Sequence, residues 1–204
     1  MGNLSTVSAW NLNSFYSKGL NSPQQSPRYM EITQLIARNC PAGPVLDVGC
    51  GEGVLAGFLE RETAYFGIEP LASAIQSAHC GKDAIRQCTA EEFSGGGRKW
   101  GCIVFNEMLY YTKDPCGLLK KYASHLEPGG VVILSIYQRN ERFDRLARLR
   151  HWLDRRRPYS NAHCTSMVLD LMRREGWAIA HDKLVTKPNH PTPWRIVAAR
   201  PASS

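Results

Sequence analysis

Val45-Leu46-Asp47-Val48-Gly49-Cys50-Gly51-Glu52-Gly53 runs as a buried strand into an acidic residue and then breaks into glycines. The residues that follow, Val54-Leu55-Ala56-Gly57-Phe58-Leu59-Glu60, suit a helix, so the stretch reads as strand, tight turn and a helix over 53–61. Glycine at 49 and 51 allows positive φ and removes the Cβ that would hold a ligand away from the main chain. A helix start beyond the turn would aim unpaired N–H groups and a positive dipole end at an anionic group. A structural turn without a ligand satisfies the same nine residues, so the reading depends on what else the chain supplies.

A second apolar run, Ala64-Tyr65-Phe66-Gly67-Ile68, ends in Glu69 and is followed by Pro70, a residue suited to the first turn of a helix. A carboxylate at the tip of a second parallel strand can accept both hydroxyl hydrogens of a ribose, which points to an adenosine-containing cofactor. The dinucleotide fingerprint G-x-G-x-x-G is not met: counted from Gly49, the sixth position is Val54, and the third glycine falls early at Gly53. That spacing argues against NAD or FAD.

Strand patterns recur near 44–49, 64–68, 84–88, 100–105 and 130–137, alternating with helical segments at 53–61, 71–79 and 114–126. An opening helix at 31–38 places Ile32, Leu35 and Ile36 on one face. Alternation at this spacing predicts an α/β, doubly wound, mostly parallel sheet with helices on both faces. Two last strands, 177–180 and 194–199, bring the expected number to seven and suit an antiparallel edge. Ligands of such folds sit beyond the carboxyl ends of the strands, which selects Asp47 to Gly51, Glu69, Thr89 to Glu91 and Asn106 to Tyr111.

The glycine stretch resembles the first motif of the class I S-adenosylmethionine-dependent methyltransferases, small single-domain enzymes with a Rossmann-like sheet. The resemblance continues through Glu69, Cys88-Thr89-Ala90-Glu91-Glu92-Phe93, Trp100 to Leu109 and Leu126 to Ser135, covering the chain from about Tyr29 to Pro201. It implies S-adenosyl-L-methionine as cofactor, with the amino-acid part along Asp47, Gly49, Cys50 and Gly51. Ribose would lie on Glu69, adenine between Pro70-Leu71 and Thr89-Ala90-Glu91, with Asn106 beside the site. Three departures stand out. Thr89 replaces a frequent aspartate, so the adenine amino group would fall to Thr89, Glu91 or backbone. Gly101 stands where many members carry aspartate. Tyr110-Tyr111 replaces the Glu-His pair common in quinone-type O-methyltransferases.

Methyl transfer from a sulfonium asks mainly for alignment and exclusion of water, and for a base only when the acceptor loses a proton early. Candidates near the expected methyl group are Glu107, Tyr110 and Tyr111, with His163 and His151 beyond the fifth strand; the tyrosines are expected to position substrate. The fourth strand lacks the Asn/Asp-Pro-Pro-aromatic signature of amino-group methylation on adenine or glutamine, and Cys116 lies too far along for a cytosine nucleophile. A small-molecule acceptor methylated on O or N is the expected substrate, such as a natural-product, saccharide or lipid precursor.

With 204 residues and 43% hydrophobic content, the chain can bury one core and no second domain. We expect a tail or lid over 1–27, in which Tyr16 could cover the sulfonium by cation–π contact, and a catalytic domain over 28–204. The net charge is +7, and Arg139 to Arg157 hold eight arginines against Glu141, Asp144 and Asp154. Phe143, Leu146, Leu149, Trp152 and Leu153 recur there at near-helical spacing, so a basic amphipathic helical insertion is expected at about 139–160. It would suit an acidic substrate and leaves RNA methylation or RNA binding as the alternative; a catalytically silent relative that only binds is a further one. Seven cysteines without a C-x-x-C pair suggest reduced thiols, and no apolar run spans a membrane, so a cytoplasmic location is expected. Met1-Gly2-Asn3-Leu4-Ser5-Thr6 also fits the permissive N-myristoylation pattern.

Overall fold

A computed structural model describes residues 25–40, 43–78, 80–138, 160–186 and 193–202. The opening segment with Tyr16 and Gly2, the basic stretch 139–157 with His151, and the turn at 188–191 lie outside the described residues.

Apolar alternation at helical spacing builds the first helix, α1 (Ser26–Asn39), longer than the expected 31–38 because Pro27 occupies its first turn, where a missing N–H costs nothing. The strands follow as β1 (Val45–Val48), β2 (Tyr65–Glu69), β3 (Ile85–Gln87), β4 (Trp100–Asn106), β5 (Leu126–Tyr137), β6 (Ala178–Thr186) and β7 (Pro193–Arg200). Between them stand α2 (Ala72–Gln76), α3 (Pro115–Ala123) and α4 (Asn161–Arg174). Asp114 caps α3 by accepting from the Gly117 N–H at 2.8 Å, and Pro115 opens the helix.

The seven strands form one sheet in the order β3-β2-β1-β4-β5-β7-β6. β1 to β5 are parallel, β7 runs against β5, and β6 returns antiparallel to β7 as the outer strand. This is the doubly wound, mostly parallel sheet with an antiparallel pair at one edge. Strand order reverses between β1 and β4, which opens a crevice at their carboxyl ends.

Alternate residues of each strand serve opposite faces. Val45, Cys102, Val104, Ile133 and Ile196 pack with Tyr29, Ile32, Leu35 and Ile36 of α1. Leu46, Ile103, Phe105, Val132 and Leu134 pack with Leu119 and Tyr122 of α3 and Val168 and Met172 of α4. Helices on both faces thus follow from continuous apolar runs in the central strands.

The expected helix over 53–61 is instead a single 3₁₀ turn, Val54–Phe58. Gly53 enters it at φ +68° with no side-chain cap, Gly57 sits inside it, and Leu59 has already returned to extended backbone. Two glycines in eight residues leave too little helix propensity to hold a full α-helix. The dipole expected to serve an anionic ligand is therefore largely absent.

Gly101 has a packing reason of its own. It lies at the start of β4, away from the ligand edge, and a Cβ there would collide with Cys40 Sγ and stand 2.8 Å from Gly43 Cα. Gly101→Ala should lower unfolding free energy by about 1–3 kcal/mol, the usual range for overpacking. Denaturant midpoints test this, and an unchanged midpoint would contradict the clash.

Candidate active site

Three acidic side chains stand at or beside the carboxyl ends of β1, β2 and β4. Asp47 is the third of the four buried residues of β1, is 1% exposed, and accepts a hydrogen bond on Oδ2 from the Tyr65 hydroxyl at 3.0 Å. Its Oδ1 has no hydrogen-bond partner among the described residues. Burial pushes its pKa up to about 7; the Glu69 carboxylate adds to the rise, while the Tyr65 hydrogen bond and the Arg28 charge oppose it. A buried carboxylate with one oxygen unpaired fits a site completed by a cationic ligand.

Glu69 ends β2 and bridges two turns. Oε2 accepts from the Gly51 N–H at 2.9 Å and Oε1 from the Leu71 N–H at 3.0 Å. Burial raises its pKa, and these two backbone donors pull it back. Each oxygen keeps a lone pair, so the carboxylate is held rigid with acceptor capacity left for two hydroxyl groups. Gly49 sits at φ +72°, and a Cβ there would stand 3.0 Å from Met108 Cβ. Gly51, at φ +57°, faces open space instead, with nothing within 4 Å of a Cβ position. The Gly51 turn is thus the place where a ligand can lie on backbone, and the residues fit an adenosyl ligand with a cationic amino-acid end. Cys50 is packed against Gly67, and burial holds its thiol far above the usual range. Pro70 carries a hydrogen bond from Gln87 Nε2 on its carbonyl, 3.3 Å away.

The segment after β3 is a reciprocal cap. The Thr89 hydroxyl donates to Glu92 Oε2 at 2.9 Å and accepts from the Glu92 N–H at 3.2 Å, a T-x-x-E box. Glu91 Oε1 accepts from the Thr112 hydroxyl at 2.8 Å, and the Ala90 carbonyl accepts from the Tyr122 hydroxyl at 3.0 Å. Thr89 therefore spends its hydroxyl proton within the protein, whereas Glu91 retains acceptor capacity.

At the exit of β4, Asn106 Oδ1 accepts from the Ser135 hydroxyl at 2.9 Å. Glu107 follows at φ +63°, the one described non-glycine residue with positive φ. Left-handed backbone at such a residue costs on the order of 1 kcal/mol and is kept only where surroundings over-determine it. Those surroundings are explicit. The Glu107 N–H donates to the Ser135 carbonyl at 3.0 Å, its Oε2 accepts from the Tyr110 hydroxyl at 3.1 Å, and the same oxygen lies 3.9 Å from Arg28 Nη1. Tyr110 is 4% exposed and Tyr111 46%, with ring centroids 4.7 Å apart. His163 is exposed in the first turn of α4, whose start is tied to the exit of β5 by Asn161 Nδ2 donating to the Tyr137 carbonyl at 2.8 Å.

Arg28 is the residue missed in the sequence. It is 2% exposed, lies 4.7 Å from the Tyr29 ring and 5.0 Å from the Trp194 ring, and leaves Nε without a partner. A buried guanidinium with an incomplete ion pair suits a ligand carboxylate better than the short 3₁₀ turn does. A signal existed: Arg28, Ile32 and Leu35 share one helical face by spacing, so an arginine stands on the apolar side of α1.

A family profile described as a methyltransferase domain matches residues 24–180. The chain is 33% identical over 104 residues to a ubiquinone biosynthesis O-methyltransferase of Citrobacter koseri, an alignment covering 47% of this chain and 43% of that relative. It spans less than half the length of that relative. Its fold is similar to the N-methyltransferase NodS of Bradyrhizobium japonicum WM9, with TM-score 0.68 and 16% identity over 90% of this chain and 99% of that one. It is also similar to magnesium protoporphyrin IX methyltransferase of Synechocystis PCC 6803 with bound S-adenosylhomocysteine, with TM-score 0.64 and 18% identity over 88% and 83%. With the sheet order, the glycine turn and the profile in agreement, the chain belongs to the methyltransferase domain family, in its class I, S-adenosylmethionine-dependent form.

Proposed function

We propose that the protein transfers a methyl group from S-adenosyl-L-methionine to an oxygen or nitrogen atom of a small molecule. The observation that carries this is the meeting of three buried charges at the β1/β4 crevice: Asp47 with an unpaired Oδ1, Glu69 fixed by two backbone donors, and Arg28 with an unpaired Nε. Their signs and spacing along the edge complement an amino-acid end and a ribose. When bound, the cofactor supplies a methyl group already activated on a sulfonium.

In this reading Asp47 balances the ammonium, Arg28 holds the carboxylate and Glu69 takes the ribose hydroxyls. Gly49, Cys50 and Gly51 provide the surface beneath the amino-acid part, while Pro70, Leu71, Ala90 and Glu91 flank the adenine and Asn106 borders the amino-acid end. Thr89 acts through its cap, which shapes that wall. Tyr110 gives its proton to Glu107, so its phenolic oxygen offers lone pairs to an incoming O–H or N–H. In this reading Tyr110 orients the acceptor, and Glu107 sets the phenol's direction and takes up a proton where the acceptor loses one. Tyr111 and His163 stand further out, where they would contact the distal part of an acceptor.

The printed functions of the relatives, O-methylation in ubiquinone biosynthesis and N-methylation, support a small-molecule acceptor without choosing between the two atoms. The acidic-substrate and RNA readings rest on the basic segment 139–157, which lies outside the described residues. No helix among the described residues is long and apolar enough to cross a membrane.

Titration calorimetry with S-adenosyl-L-methionine, S-adenosylhomocysteine and NAD tests the cofactor. Binding of the first two is expected; tighter binding of NAD would sink the reading. An unbiased acceptor screen with radiolabelled methyl donor then tests the substrate class, and transfer to RNA but to no small molecule would favour the alternative. Once an acceptor is in hand, Tyr110→Phe should lower kcat by about 10- to 100-fold with little change in cofactor affinity, the scale of losing one orienting hydrogen bond.

A further inference from the structure

Tyr65 opens β2, and in the parallel register it stands beside Val45, while Gly67 stands beside Asp47. Val45 and Tyr65 both belong to the cluster under α1, so residues 45, 47, 65 and 67 share that face of the sheet. The Tyr65 side chain reaches past position 67 toward the ligand edge, which the absence of a side chain at Gly67 allows. A Cβ there would lie 3.2 Å from the Tyr65 hydroxyl oxygen and 2.6 Å from Cys50 Sγ. The phenol ends on Asp47 Oδ2 at 3.0 Å. A long aromatic side chain, a bare glycine and a buried carboxylate thus form one unit behind the glycine turn.

We propose that Tyr65 is a positioning residue of the cofactor site: it holds Asp47 by Oδ2 and keeps that carboxylate charged and oriented for the cationic amino-acid end of an S-adenosyl ligand. The inference rests on the cofactor reading above and adds to it a residue two strand positions before Gly67, the register partner of Asp47.

The surroundings of Asp47 make the phenol decisive. Glu69 from β2 raises the cost of its charge, and Arg28 from α1 lowers it. The thiols of Cys50, Cys80 and Cys102 and the Tyr29 hydroxyl are the other titratable groups facing it, from the turn, the segment before β3, β4 and α1. Tyr65 is the hydrogen-bond donor to the carboxylate among the described residues. A hydrogen bond to the charged form favours it against burial. With the carboxyl titrating at about 7, a cationic ligand should bind more tightly as pH rises through that value, because binding selects the ionised form.

Calorimetric titrations from about pH 5.5 to about pH 8 with S-adenosylhomocysteine, and in parallel with 5′-methylthioadenosine, which lacks the amino-acid part, separate the possibilities. In Tyr65→Phe the midpoint of the pH dependence should move up by about one pH unit, and affinity for S-adenosylhomocysteine near neutral pH should fall by about 5- to 10-fold. Affinity for 5′-methylthioadenosine should stay within about twofold, since the adenosine contacts are untouched. An unchanged midpoint, or an equal loss for both ligands, overturns the role of Tyr65 and leaves the cofactor reading intact. If wild type binds neither ligand, the cofactor reading itself fails. Asp47→Asn supplies an independent arm. Its binding should lose the pH dependence, and adding Tyr65→Phe to it should change affinity by less than about twofold. A loss as large as in the wild-type background contradicts the proposal.

Discussion

Glu69→Ala weakens binding of S-adenosyl-L-methionine by about a hundredfold or more while the protein keeps its fold. The expected size follows from two hydrogen bonds from ribose hydroxyls to a carboxylate, each worth about 1.5–3 kcal/mol, with 1.4 kcal/mol per factor of ten. The fold survives because two effects of the change oppose each other. The Gly51 and Leu71 N–H groups lose their acceptor, but a carboxylate whose pKa is raised by burial is no longer kept out of water. Titration calorimetry beside a thermal melt checks both parts. Affinity within about threefold of wild type would show that ribose is held elsewhere.

Asp47→Asn is expected to separate stability from binding. The carboxyl titrates at about 7 in the folded protein against 3.8 for the ordinary group. A raised pKa in the folded state means that ionising this acid works against folding. The penalty is absent below the lower value, grows as pH rises toward 7 and is complete above it. Three pKa units correspond to at most about 4 kcal/mol, and relaxation of the site reduces this to a few kcal/mol. The stability of Asp47→Asn relative to wild type, in the absence of ligand, should therefore climb between about pH 4 and about pH 7 and then level off. The same variant should bind S-adenosyl-L-methionine about 10- to 100-fold more weakly at pH 8, because the ammonium loses its counter-charge. Melting temperatures measured across that range decide the first point: a pH-independent difference would show that burial does not raise the pKa of Asp47.

Carboxylates at the carboxyl ends of the strands make part of the site legible in the sequence. Asp47, Gly51 and Glu69 were readable because the turn between a parallel strand and its helix has few sequence solutions when backbone must approach a ligand. The fold was readable for a related reason. Val131 to Leu134 and Cys102 to Phe105 are apolar without a break, which only a strand covered on both faces tolerates. The expected helix over 53–61 failed because its apolar spacing ignored Gly53 and Gly57, whose backbone cost decided the local conformation. Arg28 was overlooked because an arginine beside a Ser- and Asn-rich segment looks like a solvated residue until the helix is seen to begin at Ser26. Thr89 looked like a substitute adenine contact, yet Glu92 three residues on completes a cap that local pattern already contained. Gly101, which stands where many members carry aspartate, answers to Cys40 and Gly43.

Sequence alone determined the order of the seven strands along the chain, the glycine turn, the acidic residues at the carboxyl ends of the first two strands, and through them the methyltransferase family. These are local properties, set by periodicity and by backbone conformations that few residues can adopt. Tertiary structure alone decided that Arg28 and Glu107 meet across the sheet edge, that Tyr65 reaches Asp47 over a bare Gly67, and that Tyr110 turns inward while Tyr111 turns out. Those relations join residues 18 to 79 positions apart, or separate neighbours by burial. They depend on desolvation and hydrogen-bond geometry, which exist only once the sheet has brought distant segments together.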